Sequence, residues 1–91
     1  MALAPRAVVV HRRTELDDLL DQHGTRGQAE FFLRTRGRTL DDVQQRHDLQ
    51  VAALAAVSTA IPVDWRRGGV EREDLPRFVF EPGDVLLVVG Q

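Results

Sequence analysis

Asp84-Val85-Leu86-Leu87-Val88-Val89-Gly90-Gln91 (DVLLVVGQ) sets the architecture of this 91-residue chain. Val85 to Val89 form a continuous apolar run without polar alternation, the pattern of a strand covered on both faces in a parallel sheet. The four residues before it, Glu81-Pro82-Gly83-Asp84, have the composition of a tight turn. In open α/β sheets, ligands sit beyond the carboxyl ends of the strands. A chain that reaches Gly90 and stops at Gln91 is therefore expected to hold the scaffold of a ligand site and only the start of the loop that completes it.

Working outward, Arg6 to His11 (RAVVVH) is a second β-branched run, and the polar cluster Arg12, Arg13, Thr14 follows it, so a strand opens into a helix. Thr14 and Asp17 have the spacing of a capping pair. Leu16, Leu19 and Leu20 then share one face, and Gly24 ends the helix. Thr25 and Gln28 repeat the capping spacing, and Gln28 to Thr35 places Ala29, Phe32 and Leu33 on one face. Thr39 and Asp42 cap the longest helix, in which Leu40, Val43, His47, Val51, Leu54, Ser58 and Ile61 recur at steps of three and four. Pro62 ends it near Ile61, because proline lacks a backbone donor and restricts the residue before it.

Val63 to Val70 (VDWRRGGV) reads as a short edge strand anchored by Trp65 and weakened by Gly68 and Gly69. Glu71 to Leu75 suits one helical turn, and Arg77 to Phe80 a brief extended piece. The order strand, helices, strand, turn, strand predicts a small three-layer Rossmann-like α/β fold. Its open sheet is expected to be mostly parallel, with about three strands and helices packed on it, in an incomplete domain. At this length one core is expected, and no internal repeat, low-complexity tract or linker splits the chain.

Composition removes several function classes. Twelve basic residues against fourteen acidic ones give a formal charge of −2, far from the basic excess that nucleic-acid binding needs. All twelve are arginine, which excludes a lysine Schiff base and the lysine of a phosphate-binding loop. With no cysteine in the chain, there is no disulfide, thiolate nucleophile or zinc–sulfur site. The start, MALAPRAVVV, has too short an apolar run for a secretory signal. A soluble, cytoplasmic protein without membrane residence is expected.

Chemistry-bearing residues are few. His11, His23 and His47 lack the close pairing of a helical metal site; His23 and His47 are expected in structural or surface roles. His11 ends the first strand beside Arg12 and Arg13, where a sheet points its ligand crevice, so phosphate contact is weighed there against a solvated strand end. Asp17-Asp18, Asp41-Asp42 and Glu73-Asp74 lie in or near first helical turns, where the dipole favours negative charge, so they read as helix-end charges rather than as acid/base pairs. Arg34, Arg36 and Arg38 read as a solvated helix end. No catalytic group is assigned, and no GxGxxG follows the first strand.

VVVHRRTELDDLL, HGTRGQAEFFL and DLPRFVFEPGDVLLVVGQ, in that order, resemble the N-terminal part of the NAD kinase and diacylglycerol kinase superfamily. In that family a strand similar to DVLLVVG leads into a glycine-rich GGDG-type loop that binds nucleotide phosphates and supplies an aspartate at the reaction centre. Gly90 matches the first glycine, and Gln91 stands where the second would be. The resemblance implies ATP-dependent phosphorylation of a hydroxyl, with Mg²⁺ as cofactor and NAD as acceptor in the kinase proper. Arg12, Arg13 and Thr14 would face the phosphate crevice, with Gly90 and Gln91 opening the phosphate loop. The 91 residues are expected to be inactive alone and to bind no cofactor tightly. The alternative is a non-enzymatic interaction module that pairs or self-associates through the edge of the terminal strand. A flavodoxin-like small-molecule domain is disfavoured, because no loop rich in serine, threonine and glycine follows the first strand.

Overall fold

The computed structural model describes residues 4–90. It is a small α/β protein whose three strands, β1 (Arg6–His11), β2 (Arg66–Glu71) and β3 (Asp84–Val89), form one open, wholly parallel sheet in the order β2-β1-β3. Between β1 and β2 lie three helices, α1 (Glu15–His23), α2 (Arg26–Arg34) and α3 (Leu40–Ala60), and between β2 and β3 a 3₁₀ turn, Arg72–Arg77. The chain divides into two compact units, one being Arg13–Ala52 and the other everything else. This replaces the expected single core. The division escapes a search for linkers because one boundary falls inside α3.

In the sheet unit, strand alternation sends Val8, Val10 and Val70 to one face, where Leu75 and Phe78 pack on them. The amino edge of that face is polar and fully partnered. Arg6 donates from Nε to Asp84 Oδ1 at 3.0 Å and from Nη2 to Asp84 Oδ2 at 2.6 Å, a bidentate pairing of planar guanidinium with carboxylate. Arg66 donates to Glu81 Oε2 at 2.8 Å. The expected turn before β3 forms: the Asp84 amide donates to the Glu81 carbonyl at 3.1 Å, and Gly83 has φ +86°, a left-handed conformation that glycine adopts without steric cost. From β2, Arg67 reaches the end of α3 and donates to the Ser58 carbonyl at 2.7 Å and the Ile61 carbonyl at 3.0 Å. These are carbonyls that a helix end leaves without internal partners.

Two expectations for this unit are corrected. β2 starts at Arg66, one residue after Trp65, whose amide instead closes a turn on the Pro62 carbonyl. Gly68 and Gly69 do not break the strand: both stay in the parallel ladder, in register with Val8 and Val9 of β1. The second correction is larger. β3 is not covered on both faces: Val85 is 38%, Leu86 48% and Val88 71% exposed. The cover formed by Leu75 and Phe78 lies over the valines of β1 and β2, and among the described residues β3 pairs only with β1.

In the helical unit, Leu16, Leu19, Ala29, Leu33 and Val43 form the core, with Leu20, Phe32 and Leu40 packed against it. Local capping explains where each helix begins. Thr14 Oγ1 accepts from the Asp17 amide and Asp17 Oδ2 from the Thr14 amide, a reciprocal capping box. Thr25 accepts from the Gln28 amide, and Thr39 from the Asp42 amide. The apolar stripe read along α3 is not continuous, because Val43 is buried but Val51 is 51% exposed. The helix contributes to both units, so no one stripe serves its whole length.

Candidate anion site at the carboxyl edge of the sheet

The path of the chain through the sheet points to one place. From β1 the chain crosses to β2 on one side, and from β2 it crosses back past β1 to place β3 on the other. The direction of winding therefore reverses between β1 and β3, and in open α/β sheets the crevice at such a reversal, beyond the strand carboxyl ends, is where ligands bind. His11 of β1 is in register with Val89 of β3. Arg12 and Gly90 each follow one residue later, so the sequence-predicted pair flanks the reversal point from its two sides.

Each has a property that suits an anion. Gly90 has φ +85°, so the chain turns left-handed with no Cβ to hold a ligand away from the backbone. Arg12 is exposed and makes no hydrogen bond or ion pair among the described residues. His11, half-buried, closes β1 in register with both Val89 and Glu71.

Arg13 and Thr14, expected at the same crevice, belong to the helical unit, where both have structural work. Arg13 Nε donates to Asp18 Oδ1 at 3.0 Å, and its Nη2 pairs with Asp21. Thr14 caps α1, and its hydroxyl lies 2.7 Å from His47 Nδ1. Partial burial pushes the Asp17 carboxyl up, but hydrogen bonds from the Thr14 amide and hydroxyl, with the nearby His47 and Arg13, outweigh it and hold Asp17 below its ordinary range. Gln91 lies outside the described residues.

The other candidates take the structural roles foreseen for them. His23 stacks on Phe32 with ring centroids 4.5 Å apart. Arg34 pairs with Glu30, Arg38 with Glu15, and Arg36 lies 3.8 Å over the Phe32 ring. A hollow lined by Glu30, Arg34, Arg38, Thr39, Leu40 and Asp41 thus has its two arginines already neutralised. Among the described residues, no group of three or more histidine or carboxylate side chains could hold a metal ion, and no helix is long and apolar enough to cross a membrane.

Reading the sequence alone missed Arg72. It follows Glu71, which is in register with His11, so it occupies on β2 the position that Arg12 occupies on β1. The signal lay in the dipeptide after Val70, but it becomes visible only once β2 is known to run parallel to β1 and in register with it. Compared with protein-family models, curated proteins and solved structures, the chain gives no match.

Proposed function

We propose that the protein is the N-terminal nucleotide-binding part of a NAD kinase-like, ATP-dependent phosphotransferase, cytoplasmic and inactive alone. The observation that carries this reading is the placement of Arg12 and Gly90 one residue beyond the registered pair His11 and Val89, at the reversal point of a parallel sheet. A guanidinium on one strand and an unshielded glycine backbone on the next suit a phosphate group. Neither supplies acid/base chemistry, which fits a part that binds and positions. Mg²⁺ would arrive on the triphosphate of ATP and be held by it, with NAD as the acceptor in the complete enzyme.

Titration of the 91-residue chain with Mg·ATP, followed by amide chemical shifts, tests this. The expected result is saturable movement of the His11, Arg12 and Gly90 amides with millimolar affinity, about 4 kcal/mol of binding free energy, and no phosphoryl transfer to NAD. The absence of saturable movement at those amides would overturn the reading.

A second reading has its own observation. β3 is an edge strand whose Val85, Leu86 and Val88 are exposed, the condition under which strands recruit others. The occupant this reading commits to is a second copy of the chain, pairing β3 to β3 antiparallel about Leu87. That register sets Leu86 opposite Val88, Val85 opposite Val89, and Asp84, the one charge of the strand, opposite Gly90. No like charges meet, and the apolar residues face one another. Light scattering at high protein concentration should show a dimer; a clean monomer removes this reading.

A further inference from the structure

The chain has twelve arginines, and their distribution over the sheet is uneven. At the amino edge Arg6 and Arg66 are neutralised by Asp84 and Glu81. At the carboxyl edge Arg12 and Arg72 make no hydrogen bond or ion pair among the described residues, a condition shared only by Arg46 in the helical unit. Both are exposed. The register places Arg72, Arg12 and Gly90 each one residue past the paired row Glu71, His11 and Val89. They follow neighbouring strands, and strands lie about 4.8 Å apart. The row from Arg72 to Gly90 therefore spans about 10 Å, more than a single phosphate occupies and enough for a chain of phosphates.

Resting on the nucleotide-binding reading, we propose that Arg72 is a further binding residue and that Arg72 and Arg12 together clamp a polyphosphate lying across the ends of β2, β1 and β3. The Arg72 guanidinium engages the end of the phosphate chain nearest β2, Arg12 engages its middle, and the backbone at Gly90 admits the group nearest β3. Both guanidiniums are solvent-exposed, so affinity for this chain alone is modest and falls steeply with salt. The shared chemistry is a linear polyphosphate, whether inorganic or carried on a nucleoside.

The test is titration of the 91-residue chain with sodium tripolyphosphate and, in a parallel arm, with ATP. Amide and arginine Nε shifts are followed at low ionic strength for wild type, R12Q, R72Q and R46Q. R12Q and R72Q should each weaken tripolyphosphate binding about three- to fivefold, as expected for partly exposed charge contacts, while R46Q, with the same charge change, should leave it within about 1.5-fold of wild type. Equal affinity in the two arms assigns recognition to the phosphates alone, and tighter ATP binding adds the nucleoside; either supports the clamp. If R12Q weakens binding and R72Q behaves like R46Q, the clamp is wrong and the β1/β3 site stands. If neither ligand moves the Arg12 and Gly90 amides, both fall.

Discussion

Asp84 accepts two hydrogen bonds from Arg6 and one from the Glu81 amide, and the Arg6 contact, followed by the amide, holds its carboxyl below the ordinary range. A carboxyl depressed in the folded state stabilises the protein fully above its unfolded pKa, near 3.9, and that contribution is lost as pH falls through the folded value. D84N should therefore unfold more easily than wild type at pH 7, and the two should converge in acid; chemical denaturation at a series of pH values between about 2 and 7 checks this. Thr14 offers a second test at this scale. T14A deletes the acceptor for the Asp17 amide and the hydroxyl beside His47 Nδ1, and should cost about 1 kcal/mol, as loss of a helix N-cap does. Urea denaturation of the two proteins measures it.

At the level of elements, Leu33 has 0% exposure at the centre of the helical core. L33A should destabilise by about 2–5 kcal/mol through lost transfer energy and the cavity left behind, read as a shift of the denaturation midpoint with an unchanged slope. The helices were legible in the sequence because their determinants are local: Thr14, Thr25 and Thr39 each meet a partner three residues on. The strands were legible as elements but not in their cover. Whether Val85 to Val89 is buried depends on which strand lies beside it, and strand order is not written in any one segment. The site divides the same way. Arg12 and Gly90 follow directly from two apolar runs, whereas Arg72 requires the register between β1 and β2. Arg13 drew attention as part of a basic cluster, but Asp18 and Asp21, five and eight residues on, engage it.

The whole molecule is asymmetric across its sheet. One edge strand, β2, carries Gly68 and Gly69 with arginines at its amino end; the other, β3, presents exposed Leu86 and Val88 and a single charge at its start. If two copies pair through β3, V88K, which sets a cation within the strand, should leave the fold intact and convert the dimer to a monomer, since charged edge residues oppose such pairing. Circular dichroism and light scattering on the same sample separate loss of pairing from loss of fold.

Arg67 of β2 fastens Ser58 and Ile61 across nine and six residues, whereas Arg6 must find Asp84 across 78. Closing a short loop loses less chain entropy than closing a long one, and contacts between distant residues form late in folding. The sheet unit thus combines local fastening of a helix end to β2 with strand pairings that are all long-range. The end of α3 can dock on β2 through contacts local in sequence, whereas both pairings of β1, with β2 and with β3, join residues 60 and 78 apart and must close far longer loops, so the central strand draws its two neighbours from the distant end of the chain.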